Sequence, residues 1–317
     1  MNIIKSKWLY LAATLMMGAC SSEGDQTVNE LPEMELRLSS SLDLQTRAAY
    51  TKTQDTQIAN GEKVYVWVDE AKTTGATEYI QAWQLTADGT GKFTGDKKLY
   101  PVSGNAIDVY ALHGNFATAP SGSYPTTALT HSVAADQSAA ADYAKSDLLF
   151  AKKTGCARQT AAHQLQFNHL LSKIEVYLVA GTGTTDAELE TATVSILGTK
   201  PDASVTFSKT AAPAVTVSGT ATAIKAKMQT QTDQTVTIES TAQPAHRFAE
   251  AVVVPQAVTG NLIQVTVGTS TYTAQATKTF TAGNKYVYNV VVNKSGIELT
   301  STIVAWGDGG TEVISAK

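Results

Sequence analysis

Two cysteines and five histidines are the side chains of this 317-residue chain best suited to nucleophilic, acid–base or metal chemistry. Cys20 and Cys156 are too few for a disulfide framework or a four-cysteine zinc site. The histidines, His113, His131, His163, His169 and His246, show no His-x-x-x-His spacing of a helical metal site. His163 and His169 flank a predicted strand and read as structural. Neither a Gly-x-Ser-x-Gly elbow nor a Gly-Lys-Ser/Thr phosphate loop occurs. Ala87-Asp88-Gly89-Thr90-Gly91 resembles the start of a calcium loop but lacks the terminal glutamate, so a hairpin turn at Asp88-Gly89 is the stronger reading. Cys156 follows the loop-like Lys152–Gly155 with no base placed to activate it, and reads as a free thiol without a catalytic role. Charged residues are sparse and none clusters with aromatics as a glycoside-hydrolysing site would require. The expectation is therefore a chain that is not an enzyme, with no catalytic residue, no metal and no cofactor.

Cys20 carries a different chemistry. Met1 to Lys7 is basic through Lys5 and Lys7, and Trp8 to Met17 is apolar but shorter than the ~20 residues of a membrane span. The run closes on Met17-Gly18-Ala19-Cys20, which resembles a bacterial lipobox. That resemblance implies removal of residues 1–19 as a signal peptide and acylation of Cys20, leaving the polar Ser21–Asp25 as a tether to the outer membrane through lipid.

Such a leader needs a folded body behind it. The chain is 43% apolar and 16% charged, enough to build packed cores, and its net charge of −4 argues against a nucleic-acid partner. From Met34 to Leu44 the pattern alternates: Met34, Leu36, Leu38, Leu42 and Leu44 share one face, Ser40 is the gap, and polar residues fill the other face, as in a half-buried strand. Further strands are predicted over Val64–Val68, Ala106–Leu112, Lys173–Val179, Leu262–Val267, Tyr286–Val292 and Ile297–Val304, with shorter ones between. Ala134–Lys145 is the one helix candidate, alanine-rich but without an apolar stripe. Gly181–Asp186 is the best linker. Short strands at such spacing predict an all-β chain of two antiparallel β-sandwich domains in tandem. Lys173–Val179 is expected to turn Ile174, Val176 and Leu178 into the core of the first.

Several segments, in order, resemble the fimbrillin family, the lipoprotein-derived pilins of Bacteroidales fimbriae: Ser146-Asp147-Leu148-Leu149-Phe150-Ala151, Phe167-Asn168-His169-Leu170-Leu171-Ser172-Lys173-Ile174-Glu175-Val176, Val253-Val254-Pro255-Gln256, Phe280 to Val292, and Ile303-Val304-Ala305-Trp306. The resemblance implies transthyretin-like sandwiches, and a surface-exposed, lipidated precursor at the cell outer membrane whose N-terminal strand is removed by an arginine-specific protease. A strand from another copy or a related pilin then fills the groove left open in the fimbrium. Carried onto this chain, the cut falls between Arg47 and Ala48. Met34, Leu36, Leu38, Leu42 and Leu44 plug the groove. The donor comes from the C-terminal region, with Ile297–Trp306 and Thr311–Lys317 both open as the segment. The organisation expected is 1–19 signal peptide, 20–47 tether and removable strand, 48–182 N-terminal sandwich, and 183–317 C-terminal sandwich carrying the donor. A surface adhesin or glycan-binding tip subunit is the competing reading, and a lipid-anchored hydrolase a third.

Overall fold

The computed structural model describes residues 31–42, 56–230, 235–238, 240–305 and 312–315. Cys20, Leu44, Arg47 and Ala48 lie outside them. In chain order the elements are β1 (Leu38–Leu42), β2 (Lys63–Glu70), β3 (Thr77–Ala87), β4 (Phe93–Gly95), β5 (Ile107–His113), β6 (Leu129–Ser132), α1 (Ala140–Ser146), β7 (Leu149–Cys156) and β8 (His163–His169). There follow β9 (Ser172–Ala180), α2 (Asp186–Leu189), β10 (Thr193–Thr199), β11 (Asp202–Thr206), β12 (Ala214–Ser218), β13 (Thr222–Lys225), β14 (Lys227–Thr230), β15 (Thr235–Ile238) and β16 (Thr241–Pro244). The last are β17 (Arg247–Val253), β18 (Ala257–Val267), β19 (Ser270–Thr279), β20 (Asn284–Asn293), β21 (Gly296–Ala305) and β22 (Glu312–Ser315). The all-β expectation holds.

The first half builds a seven-stranded sheet in the order β1-β8-β7-β5-β2-β3-β4. Alternation along β2 divides its two faces. Val64, Val66 and Val68 enter one core with Leu36, Leu38 and Phe167, while Trp67 enters a second core shared with the rest of the chain. That period of two is what a strand buried on both faces requires. The second half builds a six-stranded sheet, β14-β17-β9-β20-β21-β22, and a four-stranded sheet, β13-β10-β18-β19, joined through the second core. Strands β12, β11 and β6 form a small sheet, and β15–β16 a hairpin. Among the described strands pairing is antiparallel except for β1 on β8 and β9 on β20; the isolated bridge Asp136–Lys225 is also parallel.

Two sequence expectations need correction. Strand β9, expected in the first sandwich, pairs with β17 and β20 of the six-stranded sheet. Ile174, Val176 and Leu178 are buried, but in the second core. Sheet membership therefore changes between His169 and Ser172, upstream of Gly181–Asp186. That segment is tied down: Gly181 N–H donates to Val292 O at 2.9 Å, Thr182 N–H to Asn293 Oδ1 at 2.7 Å, and Thr185 and Glu188 form a reciprocal capping box on α2. The helix expected over Ala134–Lys145 shrinks to α1. Without an apolar stripe its first residues stay extended, and Ala135 and Gln137 bond the backbone of Lys225 instead.

Candidate functional site: the groove filled by the N-terminal strand

Residues 31–42 lie between two walls. On one side β1 runs parallel to β8, with Leu38 opposite His163 and Leu42 opposite Phe167, and His163 N–H donates to Arg37 O at 2.8 Å. On the other side the same segment runs antiparallel to residues 91–102. Leu36 N–H donates to Lys98 O at 2.8 Å, Tyr100 N–H to Met34 O at 2.9 Å, and Ser40 N–H to Gly91 O at 2.8 Å. Lys92 adjoins β4, the opposite end of the sheet, so this one strand closes a seven-stranded ring.

The inward residues follow the sequence pattern. Leu36, Leu38 and Leu42 are 2%, 7% and 3% exposed, and Met34 packs half-buried against the same core. Three fully buried leucines are worth roughly 5–9 kcal/mol as an upper bound. Outward, Arg37 pairs with Glu35 at 2.9 Å in solvent. Ser40 faces in, 4% exposed, and its hydroxyl finds no hydrogen-bond partner among the described residues. The groove is floored by Phe93 and Phe167, edge to face with centroids 6.4 Å apart. Gly91 on its rim has φ +93°, and a Cβ there would stand 2.9 Å from Ser40 O and 2.8 Å from Gln57 Oε1. Only glycine admits the plug so closely. The turn read at Asp88-Gly89 is present, its Asp88 carboxylate accepting the Thr90 and Lys92 N–H groups. Of the wall at residues 91–102 the sequence offers only the short strand candidate Lys98–Pro101, which lies along Met34 and Leu36; the rest is β4 and isolated bridges and has no alternating pattern.

The wall is not continuous. Between the Ser39–Lys92 and Glu35–Leu99 pairs the plug advances four residues and its neighbour seven, so three extra residues leave the ladder to the plug, while residues 93–95 stay paired with β3. A cleft of about 590 Å³ opens there, lined by Arg37, Leu38, Trp83, Lys92, Asp96 and Lys97 among others.

The remaining sequence motifs meet elsewhere, at the joint between the seven- and six-stranded sheets. Asp147 and His169, both buried, pair at 2.8 Å. Leu170 N–H donates to Leu148 O at 2.9 Å and Gly283 N–H to Leu171 O at 2.8 Å. Gln256 holds Lys200 by both amide atoms, accepting its N–H at 2.9 Å and donating to its carbonyl at 3.0 Å. Gln137 does the same to Val252 at 2.8 Å each way, a role with no pattern in the sequence to announce it. His131 accepts from Asn115 N–H at 3.1 Å and donates through Nε2 to Ser146 O at 3.0 Å. Burial pulls its pKa down to about 4 in spite of that bond. Burial pushes the Cys156 thiol up, away from the reactive thiolate. Among the described residues there is no cluster of three metal-ligating side chains, and no helix long and apolar enough to cross a membrane.

The body is thus a set of stacked sheets whose apolar groove is filled by the chain's own N-terminal strand. Residues 46–306 match the family described as fimbrillin-like, and the chain belongs to that family. It is 28% identical, over 97% of both chains, to a Bacteroides uniformis protein named as fimbrium subunit Fim1C. In fold it resembles a protein from Bacteroides uniformis described as a cell adhesion protein, with a TM-score of 0.59 and 22% identity, covering 86% of this chain and 98% of that one. A second such protein, from Bacteroides ovatus, gives a TM-score of 0.58 and 16% identity, covering 90% of this chain and all of the other.

Proposed function

We propose that this chain is a structural fimbrial subunit rather than an enzyme, exported as a precursor acylated at Cys20 and polymerised by strand replacement. An arginine-specific protease cuts between Arg47 and Ala48. The plug carrying Met34, Leu36, Leu38, Leu42 and Leu44 leaves, and a strand from the C-terminal region of a neighbour fills the groove. The observation that carries this reading is the position of the plug: it pairs with chain on both sides and puts three leucines in a core, yet it precedes every other described strand and joins the body through residues 43–55 alone on its C-terminal side. Its departure exposes unpaired backbone groups on both walls, which a new strand satisfies. In this reading the body is two β-sandwiches, divided between β8 and β9, with β6 crossing to pair with β11 of the second. A structural role also fits the engagement of His113, His131, His163 and His169 with backbone carbonyls or Asp147. The experiment is Arg47→Ala in the full chain treated with an arginine-specific protease, which leaves Lys52 of the same connection uncut: the variant stays monomeric by light scattering while the parent assembles. Equal assembly of the two sinks the reading. Retention of a palmitate label by Cys20→Ala would remove the anchor from it.

A further inference from the structure

Two loops from distant parts of the chain face each other over a second cleft. One is the connection from β5 to β6 at residues 123–126, the other the turn from β11 to β12 at residues 207–209. The cleft holds about 510 Å³, within the ~300–1,000 Å³ of small-molecule sites. Tyr124, 8% exposed, lies deepest, with half-buried Phe207 edge to face against it at 6.2 Å between centroids. Behind them Tyr124 packs on Trp67 and Tyr110. Glu78 of β3 and Lys209 share the lining. The sequence shows no charge clustered with aromatics, because the fold assembles this cluster from far apart: Lys209 meets Asp69 of β2 across 140 residues. We infer that the cleft binds a neutral pyranose sugar, its apolar C–H face on Phe207 and Tyr124 and its hydroxyls between the Glu78 carboxylate and the Lys209 ammonium.

Three observations support this. First, both loops are held in place before a ligand arrives. Trp67 Nε1–H donates to Gly122 O at 3.0 Å, Tyr124 N–H to Glu78 Oε1 at 2.6 Å, Tyr124 O–H to Ser208 O at 3.2 Å, and Lys152 Nζ to Lys209 O at 2.6 Å. A site fixed in advance loses little freedom on binding. Second, the two charged groups have hydrogen-bonding capacity left over. Asp69 takes two of the three Lys209 N–H donors, at 2.7 and 2.8 Å. Tyr124 N–H, Gln81 and Ser123 use three of the roughly four acceptor positions of Glu78. Burial alone would push the Glu78 carboxyl up, but those bonds outweigh it and hold it below the usual range, so it is an acceptor at neutral pH. Each sugar hydroxyl both donates and accepts, which suits a carboxylate and an ammonium lining one space. The ammonium also lies 5.4 Å from the Tyr124 centroid, so the polar groups and the stacking face are side by side. Third, Glu78 and Asp69 are balanced by Lys152 and Lys209, so no net positive charge draws in an acidic sugar.

This cleft shares no lining residue with the one beside the plug, so its test needs neither cutting nor assembly. Saturation-transfer NMR on the uncut full chain uses the methyl glycosides of glucose, galactose, mannose and N-acetylglucosamine, with glucuronic acid as the acidic probe. At least one neutral glycoside receives saturation through its C–H protons and binds more tightly than the acid. Glu78→Gln keeps an oxygen for Tyr124 N–H but removes the charge, and Phe207→Ala removes the stacking face. Each weakens that glycoside about tenfold by titration. Lys63→Ala, outside the cleft, leaves it unchanged. Circular dichroism checks that each variant is folded, and Phe207→Leu replaces an alanine variant that is not. No transfer to any neutral glycoside, parental affinity in either cleft variant, or tighter binding of glucuronic acid than of every neutral glycoside overturns the inference.

Discussion

At Ser40 the plug buries a hydroxyl that has no hydrogen-bond partner among the described residues. An unmet buried hydroxyl costs about 1–3 kcal/mol. Ser40→Ala should accordingly stabilise the closed chain by about 1 kcal/mol, raise the melting temperature by a few degrees and slow release of the plug after cutting. Gly91→Ala should do the opposite: its Cβ meets Ser40 O and its φ of +93° disfavours any other residue, so nicked chain should lose the plug faster on a sizing column. His131 supplies a pH dependence of definite sign. Its folded pKa, pulled down by burial to about 4, lies below the unfolded value, so the unfolded chain binds more protons between about pH 6.5 and 4. Stability is then full above that window and falls by about 3 kcal/mol as pH drops through it. The groups facing the ring, His113, Asp147 and Asp202, shape the curve but do not reverse it. Urea midpoints at pH 7 and 4.5 should converge in His131→Gln.

Strands were legible where an alternating face had only one place to go. The apolar parity of Leu36, Leu38 and Leu42 gave β1 its inward face, but parity says nothing of neighbours, and neither β8 nor the broken wall at residues 91–102 could be read from it. Strand β9 shows the limit most clearly. Lys173 and Glu175 look like the polar face of a half-buried strand, yet both are buried. Lys173 reaches Glu250 at 3.0 Å, Lys227 holds the other oxygen of Glu250 at 3.0 Å, and Gln229 donates to that oxygen at 2.7 Å. Burial alone would push the Glu250 carboxyl up, but the two lysines outweigh it and hold it below the usual range. The charges are on adjacent strands far apart in sequence, so no spacing could announce them. Lys173→Met leaves buried carboxylates short of a cation and should cost about 3–5 kcal/mol in urea denaturation. Lys173→Met with Glu250→Leu should recover a large part of that loss.

Among the described residues the fimbrillin-like motifs serve to hold the molecule together. They join the two sheet systems through Asp147–His169 and the Leu148, Leu170 and Gly283 contacts, which places the groove and the C-terminal strands on bodies fastened to one another. The groove closes on the chain's own strand at its other end. Leu42 N–H donates to Thr56 O at 3.3 Å, and the thirteen residues 43–55 connect them. Such a short connection keeps the plug at an effective concentration of roughly millimolar order, far above that of a neighbour's strand in dilute solution. Uncut chain should therefore stay monomeric even when concentrated, whatever the intrinsic preference of the groove. Severing the connection anywhere within it changes no contact in the groove, but turns the plug from a unimolecular competitor into one that is lost by dilution. Replacing Arg47 and its neighbours with the recognition sequence of an unrelated protease should hand control of assembly to that protease. Under the strand-replacement proposal the switch lies in chain continuity, a property of covalent connection rather than of any side chain, and the timing of assembly would follow from how many chains have been cut rather than how many have been made.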